Sequence, residues 1–242
     1  MPRLALGQGE CQPACRCDNG RVTTTARLLH PGVWALLASL PPYEPAEALK
    51  LGDRLRARGL DADLVATILT QLHLRDRART KFGGFADSML FTEAGLQQAT
   101  RLVVAAHHAG RYRDAGCTHV ADLGCGIGAD SLALAGLGIE VDAVERDEET
   151  AALALVNLMA FPGARVLHAD ALELDLSPYD GLYADPARRR RSGRVFDPAA
   201  YSPPLSALLA LRDRVPELGL KVGPGIPYEN IPPDAHAQWV SV

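Results

Sequence analysis

Three glycines in five positions, Gly124, Gly126 and Gly128, break the string DLGCGIGAD between the apolar run CTHVADL and the alanine-rich run GADSLALAGLG. A strand that enters such a bend and a helix that leaves it expose bare backbone, which a nucleotide or nucleoside can approach without meeting side chains. Downstream of the bend the chain keeps the same rhythm of short strand and helix. EVDAVERD reads as a second strand, and the helix from about Glu148 to Ala160 places Ala151, Leu155, Leu158 and Met159 inward. ARVLHAD and YDGLYADP read as the third and fourth strands, the latter stopped by Pro186, which lacks an N–H for a ladder. SPPLSALLALRD is the next helix, LGLKVGPG a fifth strand, and AQWVSV the start of a sixth. That alternation is the mark of an α/β fold with a parallel sheet covered by helices.

Upstream the pattern is helical. Ala48, Leu51 and Leu55 recur at helical spacing up to Gly59; Asp61 or Asp63 then caps a helix carrying Leu64, Val65, Ile68, Leu69 and Leu72, which ends in RDRART. Thr92 offers an N-cap to a long helix with Leu96, Ala99, Val103 and Ala106 as its buried face, and His107 and His108 closing it. The expected organisation is a poorly ordered leader (1–25), an N-terminal helical domain (26–113) and an α/β domain (114–242). In the leader, Cys11, Cys15 and Cys17 with His30 match no common zinc spacing and read as free thiols, so no metal site is expected. His168 in RVLHAD reads as a core histidine.

A formal charge of -4 across 242 residues excludes a protein that coats polyanions through bulk positive charge, so any such partner is bound locally. No apolar run approaches the ~18 residues of a membrane span and no secretory h-region opens the chain. The expected compartment is the cytoplasm, with Cys117 and Cys125 as reduced thiols.

The glycines leave two ligand classes open. Gly124, Gly126 and Ala129 satisfy the loose dinucleotide fingerprint, and Glu145, about twenty residues on, suits a ribose in either class. Asp122, two residues before the bend, would repel a pyrophosphate but suits a cation such as the ammonium of S-adenosylmethionine. Asp170 ends the third strand, where it can accept from an adenine amine, and DPARR ends the fourth at the rim where a second substrate meets the first.

VADLGCGIGADS, VERD, HADA and YADPARR resemble the successive motifs of class I S-adenosylmethionine-dependent methyltransferases. KFGGFADSMLFTEAGLQQAT, GRVFDPAAYSPP and KVGPGI narrow the resemblance to bacterial methyltransferases that carry a THUMP-like domain. The resemblance runs from about Lys81 onward and implies a Rossmann-like class I methyltransferase sheet with S-adenosylmethionine as cofactor. Position by position, it implies that Gly124, Gly126 and Gly128 line the methionine moiety and that Asp122 supports the loop or the ammonium. It further implies Glu145 on the ribose hydroxyls, Asp170 and Ala171 on the adenine, Phe91 and Thr92 in the segment that closes over the methionine end, and Asp185 with Pro186 facing the acceptor.

The Arg188–Arg191 run and Arg194 would set guanidiniums beside that acceptor, Arg188 and Arg189 first, where they bind phosphates or stack on a base. RNA, at a purine amine, is the expected acceptor. Amino-directed relatives carry a second proline and an aromatic where this chain has Ala187 and Arg188, so an Arg plane must replace the stacking ring. Such a sheet ordinarily closes with a sixth and an antiparallel seventh strand; this chain stops at QWVSV, so the sheet is expected to be incomplete at its C-terminal end, a truncated form. The rival expectations are a non-catalytic S-adenosylmethionine- or RNA-binding remnant and a nicotinamide-dependent oxidoreductase.

Overall fold

The computed structural model describes residues 24–187, 189–190, 193–194 and 197–240. The leader cysteines Cys11, Cys15 and Cys17, and Arg188 and Arg191, lie outside these residues. Helices α1 (Thr24–Leu28), α2 (Pro31–Ser39), α3 (Ala48–Ala57), α4 (Ala62–Phe82), α5 (Glu93–Gln98) and α6 (Leu102–Asp114) precede the sheet. Then come β1 (His119–Leu123), α7 (Ala129–Gly136), β2 (Glu140–Glu145), α8 (Glu148–Leu158), β3 (Ala164–His168), β4 (Gly181–Ala184), the short strands β5 (Arg189–Arg190) and β6 (Gly193–Arg194), α9 (Leu205–Leu209) and β7 (Glu217–Leu220). The main sheet is parallel in the order β3-β2-β1-β4-β7, and β5 pairs antiparallel with β6 as a separate ribbon. Strand order reverses between β1 and β4. In an open parallel sheet, ligands bind beyond the carboxyl ends of the strands at that switch point.

Both faces of the sheet are covered, which is why its strands read as apolar runs. Val120, Val141 and Tyr183 pack under α6 and α7, while Ala121, Leu123, Leu182 and Ala184 pack against Leu208, Leu211 and Val215. Tyr112 of α6 lies across two strand glycines: a Cβ on Gly219 would fall 2.3 Å from its hydroxyl, and one on Gly181 2.9 Å from its ring. These glycines therefore mark a close approach, not a weak strand.

The upstream helices share their core with the sheet unit. Leu74, Ala78 and Phe82 of α4 cluster with Ile127, Leu132, Ala143 and Leu158, and the cluster of Leu28, Leu37, Leu55, Ile68 and Leu72 takes in Leu153 of α8. Asp61 caps α4, accepting from Leu64 N at 2.9 Å and pairing with Arg27.

Several local expectations are corrected. The helix after Thr92 is two helices, broken at 99–101; Leu96 is buried as expected in the first, but the second buries Ala105, Ala109 and Tyr112, while Val103 and Ala106 face solvent. His107 and His108 sit mid-helix, because α6 runs on to Asp114. Leu155 and Met159 are exposed, since α8 turns Leu153, Ala154 and Asn157 inward instead. His168 is an exposed residue at the end of edge strand β3, bonded through Nε2 to Arg146 O. Residues 237–240 form no strand and are exposed, and 241–242 are not described. No described helix is long and apolar enough to cross a membrane.

Candidate functional site

The bend after β1 is held by β2. Gly124 N and Cys125 N both donate to Val144 O at 2.9 Å, and Gly124, Gly126 and Gly128 take φ of 81°, 58° and 86°. A Cβ on Gly124 or Gly126 would meet nothing within 4 Å, whereas one on Gly128 would sit 3.3 Å from Leu158. The first two glycines therefore border open space and the third faces the core. Left-handed backbone at both positions excludes larger residues at low cost, whatever the space.

Glu145 at the tip of β2 accepts from Gly126 N through Oε2 (3.1 Å) and from Asp147 N through Oε1 (2.9 Å), which joins the bend to the cap of α8. Ala169 N donates to Glu145 O at 3.1 Å, leading the chain past this tip to Asp170 and Ala171. Asp170 is exposed and accepts from Leu172 N; Ala171 is half-buried. Asp122 lies under the bend, 2 % exposed, where Ser131 Oγ of α7 donates to Oδ2 at 2.5 Å. Burial, and next the neighbouring Asp130, push its carboxyl up to about 8, with Asp185 adding to the shift. Cys125, beside Gly124, has its thiol raised by burial and then by Asp122 and Glu145.

The segment leading into α5 packs on the bend. Phe91 is a core residue against Phe82, its backbone held on both sides by Gln71: Phe91 N donates to Oε1 at 3.1 Å and Nε2 donates to Phe91 O at 2.7 Å. Thr92 caps α5 by accepting from Gly95 N, and a Cβ on Gly95 would fall 2.7 Å from Ile127 Cγ2. Asn157 of α8 ties the two together, accepting from Leu90 N (2.7 Å) and donating to Leu90 O (3.1 Å) and Ile127 O (2.9 Å).

Across the switch point, β4 ends at Ala184 and is followed by Asp185 and the buried Pro186. Lys221, the residue after β7, donates to Asp185 Oδ2 and to Thr100 Oγ1. Ala187 pairs with Ser202 through two backbone bonds, so the chain returns to the site after the arginine run. Arg189 lies in β5 opposite Arg194; Arg188 is not described. The structure thus gathers Asp122, Gly124, Gly126, Gly128 and Glu145 at one bend, packs the 91–95 segment on it, and sets Asp170 and Asp185 at strand tips on either side. Sequence reasoning missed Gln71, Thr100, Asp130, Asn157 and Lys221. Asn157 and Gln71 carried a signal as polar residues on otherwise apolar helix faces; Thr100, Asp130 and Lys221 lie inside KFGGFADSMLFTEAGLQQAT, VADLGCGIGADS and KVGPGI, strings whose resemblance gave those three residues no role. Among the described residues, no group of three or more His, Cys, Asp and Glu is placed to hold a metal.

Residues 21–78 match a family described as a domain of unknown function (DUF8688). Proteins from two strains of Mycobacterium tuberculosis, each called an uncharacterized S-adenosylmethionine-dependent methyltransferase, are 35% identical over 172 residues, a match covering 65% of this chain and 44% of each relative. This chain thus spans less than half the length of those relatives. A crystal structure from Porphyromonas gingivalis W83, of a protein provisionally described as a methyltransferase, is 23% identical, covers 70% of this chain and 48% of that one, and has a TM-score of 0.47. One from Pyrococcus horikoshii, provisionally described as an RNA methyltransferase, is 21% identical over 63% of this chain and 74% of that one, with a TM-score of 0.43.

Proposed function

We propose that this chain binds S-adenosylmethionine over the bend after β1 and transfers its methyl group to RNA. The observation that carries the reading is the pair Gly124 and Gly126. Both are left-handed and open to space, Gly126 is bonded to the acid Glu145, and they lie at the point where strand order reverses. The 35% identical relatives, called S-adenosylmethionine-dependent methyltransferases, support the cofactor class. Within that class the strings from Lys81 onward resemble enzymes with a THUMP-like domain. On this reading 114–242 is the catalytic unit, 26–113 its helical addition, and the setting the cytoplasm.

The residues present suit the group. Space that a Cβ would fill is left at two glycines, and Glu145 and Asp170 stand at the adjoining tips of β2 and β3, which suits a cationic ligand better than a pyrophosphate. When bound, S-adenosylmethionine supplies an electrophilic methyl carbon on a sulfonium. Glu145 would hold the ribose hydroxyls, Asp170 and Ala171 the adenine, and the backbone of 91–92 would bound the methionine end, since the Phe91 ring is committed to the core. Asp122, bonded to Ser131, supports the bend. In-line displacement asks for alignment and exclusion of water more than for acid or base. Asp185, set by Pro186 behind it, would accept a hydrogen bond from the acceptor amine, and Arg188 and Arg189 would hold RNA phosphates.

Calorimetry with S-adenosylhomocysteine, followed by tritiated methyl transfer to total RNA, tests this. Saturable uptake and RNA labelling that Asp185→Ala abolishes are expected. Uptake without labelling of RNA would favour a non-catalytic binding remnant, and uptake of NAD in place of the adenosyl ligand would overturn the reading.

A further inference from the structure

Lys221 opens the string KVGPGI, whose resemblance assigns it no role. Its backbone N donates to Ala184 O at 2.8 Å, so the residue leaves the sheet beside Asp185, one strand over. Its Nζ contacts Asp185 and lies 2.7 Å from Thr100 Oγ1, in the break between α5 and α6. Thr100 in turn lies 2.6 Å from Oδ2 of Asp130, in the first turn of the helix that begins behind Gly128. The other oxygen of Asp130 is 2.8 Å from Nδ1 of His108, which is itself 3.0 Å from the Tyr183 hydroxyl.

The direction of these bonds is forced. A carboxylate can only accept, so Thr100 spends its single proton on Asp130 and turns a lone pair to Lys221. Lys221 must then donate on that side, and it donates to Asp185 on the other. An ammonium held from two sides fixes the Asp185 carboxylate in turn, and each of the two side chains is 23% exposed. The chain of bonds therefore crosses the switch point, from the tip of β4 to the helix that carries the glycine bend.

Resting on the methyltransferase reading, we propose that Lys221 is a positioning residue: it orients Asp185 toward the acceptor and, through Thr100 and Asp130, links that orientation to occupancy of the glycine bend. The chain has three lysines, Lys50, Lys81 and Lys221, so protein labelled with carbon-13 lysine gives three resolvable side-chain environments, and Lys221→Met identifies the relevant one. Asp185→Asn is expected to shift the Lys221 signal. Addition of S-adenosylhomocysteine is expected to shift it also, and Thr100→Val to remove that second response while the ligand still binds. In methyl transfer to total RNA, Lys221→Met should lower kcat at least tenfold with KM for S-adenosylmethionine within twofold, and Lys221→Arg should recover part of the loss. A Lys221 signal indifferent to Asp185→Asn, or a Lys221→Met enzyme with unchanged kcat, would overturn the proposal. Absence of any adenosyl-ligand uptake by the unaltered protein would instead sink the methyltransferase reading, while the Asp185→Asn arm still decides the pairing.

Discussion

A buried acid under a glycine bend makes the residue scale testable by pH. Asp122 keeps its proton in the folded chain up to about 8, whereas its ordinary value is 3.8. Stability from that proton is fully present below the unfolded value and is lost as pH rises through the folded one. Asp122→Asn cannot lose a proton, and its amide oxygen can still accept from Ser131. Urea unfolding from about pH 5 to about pH 8 should therefore show falling stability for the wild type and a flatter line for the variant. Parallel lines would show that Asp122 does not titrate as its burial demands. Gly126→Ala probes the other side of the bend. Left-handed backbone costs a non-glycine residue roughly 1–2 kcal/mol, and the methyl group enters the space assigned to the ligand. Calorimetry should find S-adenosylhomocysteine affinity down at least tenfold with a modest loss of stability; undiminished affinity would place the ligand elsewhere. Gly124, Gly126 and Glu145 were legible in the sequence because backbone conformation and chain direction are local properties. Asp122 was legible as a residue but not as a buried one, since burial depends on α7 closing over it.

At the scale of elements, polar residues decide where helices sit. Asn157, 5% exposed, holds Leu90 and Ile127 together by three bonds, so α8 is turned to present Asn157 and Leu153 inward rather than Leu155. Apolar periodicity misplaced this face because it gave an asparagine no weight, and the buried Gln71 and Arg75 blur the stripe of α4 in the same way. Asn157→Leu would leave Leu90 N, Leu90 O and Ile127 O without that partner in a dry setting, a loss of roughly 2–4 kcal/mol. Urea denaturation measures it, and a loss within ~0.5 kcal/mol, the range of an ordinary surface change, would mean that the clamp is dispensable. The strands were found because their apolar runs end at Gly and Pro. The break at 99–101 was not, because Ala99 and Thr100 are compatible with helix and the interruption comes from outside it: Lys81 Nζ takes the carbonyls of Leu96, Gln97 and Ala99.

For the whole molecule the question is whether the helices before Asp114 and the sheet after it are one folding unit. Linear sequence suggests two, because the hydrophobic period changes between them. Packing argues for one: Phe82, Leu74 and Ala78 share a core with Ile127, Leu132 and Leu158, and Leu153 is buried among residues of the upstream helices. Exposing either part alone would strip apolar surface from the other, at about 25 cal/mol per Å², and would break the polar contacts of Asn157 with Leu90 and of Asp130 with Thr100. Native-state hydrogen exchange should therefore give the inner amides of α4 and those of β1 the same opening free energy, equal to that of global unfolding. Leu158→Ala, which cuts the shared cluster from the sheet side, should lower both by roughly 2–5 kcal/mol. If the α4 amides opened at a lower free energy and ignored that substitution, the upstream helices would be a separately melting layer. The 91–95 segment, which they carry onto the glycine bend, would then be a mobile cover instead of a fixed wall.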